Sequence, residues 1–112
     1  MLDTRTKIVS PDRVAGRTVV AAYFDPMVHT HAQRFHELAE QHGPLAICLC
    51  DPPDPLLSAQ ARAELAAALR DVELVVIGEA ALAGAAAVID ERPADLERRT
   101  ALMRHVHSRQ DG

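Results

Sequence analysis

At 112 residues the chain is long enough for one domain and too short for two ordinary ones. Hydrophobic residues make up 48% of it, but with two Phe, one Tyr and no Trp the core must be aliphatic. The net charge of -4 lacks the polybasic footprint of a nucleic-acid binder, and no apolar run approaches the ~20 residues that span a bilayer.

Residues 1–16 are polar and predict a loose lead-in, with a short turn at Ser10-Pro11-Asp12. They contain no apolar signal-peptide core, so the expected compartment is the cytoplasm. Residues 18–24 are apolar nearly throughout, which suits a strand covered on both faces. The run stops at Asp25-Pro26, and a loop carrying His29 and His31 leads into a helix over 32–42. Phe35, Leu38, Ala39 and His42 share one face of it, Thr30 with Gln33 fits a capping box, and Gly43-Pro44 stops it.

Residues 45–50 predict a second buried strand. Cys48 and Cys50 point to the same face and cannot bridge easily, so they read as buried free thiols. The Asp51-Pro52-Pro53-Asp54-Pro55 loop excludes regular structure. Ser58 caps a second helix over 59–71, with Ala61, Leu65, Ala68 and Leu69 inward. Residues 74–77 form a third strand, 80–85 a small alanine-rich turn or helix, and 86–89 a fourth strand. Pro93 opens a last helix whose inward stripe is Leu96, Thr100, Met103 and Val106, with Arg98, Arg99 and Arg104 on its outer face. Residues 108–112 are expected to fray.

Buried strands alternating with helices predict an α/β fold: a single three-layer α/β/α Rossmann-like domain with a parallel sheet of about four to five strands. Ligands of such sheets lie beyond the carboxyl ends of the strands, here Phe24-Asp25, Asp51 and Gly78-Glu79.

The segment Tyr23-Phe24-Asp25-Pro26-Met27-Val28-His29-Thr30-His31 resembles the signature of the cytidylyltransferase-like nucleotidyltransferases, G-x-F-D-x-x-H-x-G-H. The spacing from Phe24-Asp25 to His31 matches that family's spacing to its second histidine. Residues 7–10 and the segment from Pro55 to Val76, with Arg62 on its helix, look like the sugar-phosphate adenylyltransferase domains used in ADP-heptose synthesis. The chain departs from the signature at Ala22, Val28 and Thr30, which stand where the family has glycine, histidine and glycine. The family's basic residue after the second strand has no counterpart either.

The resemblance implies transfer of a nucleotidyl group from ATP or CTP, carried with Mg²⁺, to a phosphorylated sugar or polyol, with release of pyrophosphate. It implies His31 as the catalytic donor, Tyr23, Phe24, Asp25, Thr30 and Arg62 as nucleotide-binding residues, and a homodimer. Such chemistry relies on positive donors at a helix start, because charge develops on phosphate oxygens. Losing phosphate donors worth ~1.5–3 kcal/mol each would slow transfer by orders of magnitude. The same residues therefore also suit a binding module of the same fold without turnover.

Each residue keeps a plainer reading as well: His31 as a capping or surface histidine, Asp25 as a turn residue ending its strand, and Arg62 as a solvated helix charge. His29 reads as a loop surface residue, and His36, His42, His105 and His107 as surface or half-buried helix residues. No metal site is expected, because Asp25, His29 and His31 would have to supply three ligands from one short loop.

Overall fold

The computed structural model describes residues 3–25 and 29–111, without the side chains of His29 and of residues 105–111. Four strands form one sheet: β1 (Thr18–Ala22), β2 (Leu45–Leu49), β3 (Val72–Ile77) and β4 (Ala87–Asp90). All pairings are parallel, in the order β3-β2-β1-β4. The helices are α1 (His29–His42), α2 (Ala59–Ala67), the single turn α3 (Ala80–Ala83) and α4 (Arg92–Asp111). This is the α/β class expected from the alternation of buried strands and helices, with parallel neighbours joined by crossovers. Among the described residues no helix is long and apolar enough to cross a membrane.

The two-residue period of the strands sorts the core into two layers. Val20, Ala22, Leu45, Ile47, Leu49 and Val75 face α1 and α2, meeting Phe35, Leu38, Ala63, Ala66 and Ala67. Val19, Ala21, Ala46, Cys48, Cys50 and Val76 face the other way, against Val14 and Ala81. Both thiols are free and buried, as their alternation predicts. The Cys48 Sγ donates to the Gly78 carbonyl at 2.9 Å. Its contact with Cys48, together with burial, holds the Cys50 thiol well above the usual range.

The lead-in is more ordered than its polarity predicts. Residues Thr4–Lys7 and Pro11–Val14 are 3₁₀ turns, and Val14 is buried beneath the second layer. Ile8 bridges Val75, so the lead-in partly covers the outer edge of β3, while β4 forms the other edge.

Three helix assignments need correction. Helix α1 begins at His29, so Thr30 lies inside its first turn, exposed, rather than capping it, and His42 is exposed at its far end. Ser58 caps α2 as expected, its oxygen accepting from the Ala61 N–H at 3.1 Å, but the helix ends at Ala67. Its inward face is Arg62, Ala63, Ala66 and Ala67, rotated from the expected one. On α4 the stripe Leu96–Thr100–Met103 is not buried: Thr100 and Met103 are exposed, and Glu91 and Asp95 turn inward instead. The side chain of Val106 lies outside the described residues.

Candidate functional site

The site is built where β1 ends. Phe24 takes a left-handed backbone conformation, φ 53°, which is uncommon for a non-glycine residue. The turn keeps its ring in the core, stacked on Phe35 with centroids 5.0 Å apart, while the chain bends away to present Asp25. The Asp25 carboxylate is buried and accepts the backbone N–H groups of Leu56 and Leu57, each at 2.8 Å. It therefore pins the proline-rich loop after β2 to the end of β1. Arg99 holds the same loop from α4, donating to the carbonyls of Pro53 and Asp54, with its Nε 3.9 Å from Asp25.

Arg62 reaches the same place from α2, where it is only 1% exposed. Its guanidinium donates to the carbonyls of Cys50 at 2.8 Å, Tyr23 at 3.1 Å and Leu57 at 3.1 Å. A fourth contact runs to the Asp51 carboxylate at 2.7 Å. The first two acceptors stand just past the ends of β2 and β1, where the ladder no longer supplies their donors. A planar fork of donors satisfies such divergent carbonyls in a way that a point charge cannot. Arg62 is thus a clamp across two strand ends.

His31 lies in the first turn of α1, 1% exposed, its ring packed beside both Phe24 and Phe35 with centroids 5.3 and 6.1 Å away. Its Nε2 lies 2.7 Å from an Asp95 carboxylate oxygen. Asp95 also accepts the Tyr23 N–H at 2.8 Å and Arg98 at 2.6 Å. Arg98 comes within 4.0 Å of Glu91, which pairs with Arg34 at 2.8 Å. A chain of polar contacts thus runs His31–Asp95–Arg98–Glu91–Arg34 and stitches α1 to α4 across the ends of β1 and β4. Burying this many charges is tolerable because each carboxylate has a cationic or N–H partner.

The structure brings together Tyr23, Phe24, Asp25, His31 and Arg62 from the expected residues. Tyr23 is half-buried, and desolvation pushes its phenol above the usual range. Thr30 is exposed at the start of α1. Val28, which occupies a signature position, lies outside the described residues, as does the His29 side chain. Arg98 and Arg99 are corrected from the outer face of the last helix to its gripping face, each only 17% exposed along the side chain. Asp95, Glu91 and Arg34 were not anticipated. The signal for the first two was present: Glu91, Asp95 and Arg98 recur at helical spacing, opposite the apolar stripe taken as the buried face.

Among the described residues no group of three His, Cys, Asp or Glu side chains could hold a metal ion. Both Asp25 oxygens already accept backbone N–H groups, so the chain offers no built Mg²⁺ cage there. Comparison of the chain with family models, with curated proteins and with solved structures finds no match.

Proposed function

We propose that the chain is a nucleotide- or phosphate-binding α/β module without turnover, its ligand lying over the ends of β1 and β4 at the start of α1. The observation that carries this reading is the strand order. Going from β1, the chain moves to β2 and β3 on one side and returns to β4 on the other. The crevice at such a reversal is where parallel sheets take ligands. A helix start there adds N–H donors and partial positive charge, which favours an anion.

What supports binding over transfer is how the two strongest candidate donors are spent. His31 is buried and paired with Asp95, and Arg62 is committed to three backbone carbonyls and Asp51. Neither presents a free face to a phosphate. Any Mg²⁺ would arrive already bound to a triphosphate.

The test is thermal unfolding with ATP, CTP and AMP, beside a pyrophosphate-release assay with sugar and polyol phosphates. A ligand at ten times its Kd adds about 1.4 kcal/mol, a rise of roughly 6 °C for a domain of this size. The expected outcome is a rise with flat pyrophosphate traces. No rise at millimolar ligand would overturn the proposal.

The spacing from Phe24-Asp25 to His31 favours a second reading, transfer of a nucleotidyl group from ATP or CTP to a sugar or polyol phosphate. It requires His31 to leave Asp95. Pyrophosphate release from the unaltered protein, strongly raised by Val28→His with Thr30→Gly, would establish it.

A further inference from the structure

The grip of α4 on the domain comes from its first two turns. Asp95 and Arg98 face β1 and α1, and Arg99 reaches the proline-rich loop. Leu96, Thr100 and Met103 lie elsewhere on the helix. At about 100° per residue their stripe is turned roughly 140° from Asp95 and Arg98, with Arg99 between the two. Met103 is 40% exposed, and Thr100 and its neighbours Glu97 and Arg104 are exposed as well. These residues line a shallow groove along the outer side of α4. The stripe has the period of a buried helix face, yet the domain half-covers Leu96 and leaves Thr100 and Met103 open. A helix standing clear of its domain gains little from propensity alone and needs tertiary packing.

We propose that a second copy of this chain covers the stripe, with the two α4 helices packed antiparallel about a two-fold axis near Thr100. The stripe and its Glu97–Arg104 border are self-complementary, as an isologous interface requires, while Arg99 on the other border is drawn back to the proline-rich loop. Leu96 lies four residues before Thr100 and Met103 three after it. Antiparallel pairing therefore brings Leu96 level with Met103 of the partner subunit to within one residue rise, about 1.5 Å. Glu97 and Arg104 flank the stripe on the same side, three residues before and four after the centre. The same pairing sets Glu97 beside Arg104 of the partner subunit, and the two-fold repeats that contact. A parallel pairing would set the two Glu97–Arg104 borders on opposite sides of the seam, where Glu97 does not meet Arg104 of the partner subunit. Thr100 at the crossing is small enough to let the helices approach closely. This interface is independent of the ligand proposed above.

Sedimentation or light scattering over a concentration series gives the test. The unaltered protein is expected to show a dimer mass. Glu97→Arg and Arg104→Glu should each weaken the dimer by about tenfold or more, and the combined variant should restore it to within about threefold, because the swapped charges face each other again. Circular dichroism on the same samples separates loss of pairing from loss of fold. Both positions are exposed, and the unfolding midpoints of the diluted single variants should match that of the diluted unaltered protein. A monomer mass at the highest attainable concentration would overturn the proposal. So would a dimer indifferent to both single reversals, which would point to another surface such as the β4 edge, or a combined variant as weak as either single one.

Discussion

Replacing Arg62 by alanine removes one side chain and strips donors from the ends of two adjacent strands at once. The carbonyls of Tyr23, Cys50 and Leu57 each lose a charge-assisted hydrogen bond, an interaction worth about 1.5–3 kcal/mol when removed singly. The three losses do not simply add, since carbonyls released at the sheet end regain some water. The Asp51 partner is 77% exposed and adds no more than about 1 kcal/mol. Together with the packing lost around a buried side chain, the expected cost is about 3–5 kcal/mol. For 112 residues the unfolding entropy is about 0.24 kcal/mol per kelvin, so the thermal midpoint should fall by roughly 12–20 °C. Urea unfolding of the same variant should give a matching loss. Arg62→Lys should recover less than half of it, because an ammonium cannot span carbonyls that diverge from two strands and a loop. A loss below about 1 kcal/mol in the alanine variant, or full recovery by lysine, would refute the clamp and favour a solvent- or ligand-facing arginine.

Asp95→Asn should cost about 2–4 kcal/mol in urea unfolding, since His31, Arg98 and the Tyr23 N–H all converge on that carboxylate. Cost confined to a few tenths would mean that the charge chain adds nothing to holding α4. Cys48 and Cys50, both buried, should resist a thiol reagent in the native protein and react together in denaturant. Labelling of either thiol faster than global unfolding would contradict their place beneath the second core layer.

β1 and β2 were legible because a strand covered on both faces demands a near-continuous apolar run, and the runs at 18–24 and 45–50 admit no other extended placement. The cap at Ser58 and the buried thiols followed from equally local rules. The inward faces of α2 and α4 were not legible, for one physical reason. Patterning assigns charged residues to water, whereas Arg62 and Asp95 turn inward to serve backbone groups that the sheet leaves unpaired at its carboxyl end. Those orphan groups exist only after the strands have assembled, so no window of sequence around Arg62 displays them. Once Arg62 is inward, Leu65 and Ala68 rotate partly outward, which explains the displaced face. The site's residues were largely named in advance, but their partners were not, since Asp95 lies far along the chain from Tyr23 and His31.

The strand order has a consequence for how the chain reaches this state. β1 is central, yet its partner on one side, β4, lies roughly seventy residues further along the chain. Pairing of β1 with β2 and of β2 with β3 closes much shorter loops, and low-separation contacts form faster. During synthesis the apolar Val19–Ala22 stretch thus keeps one open edge until nearly the whole domain has emerged, and open edges invite pairing with other chains. Docking of β4, followed by Asp95 closing over Tyr23, is the step that ends this exposure.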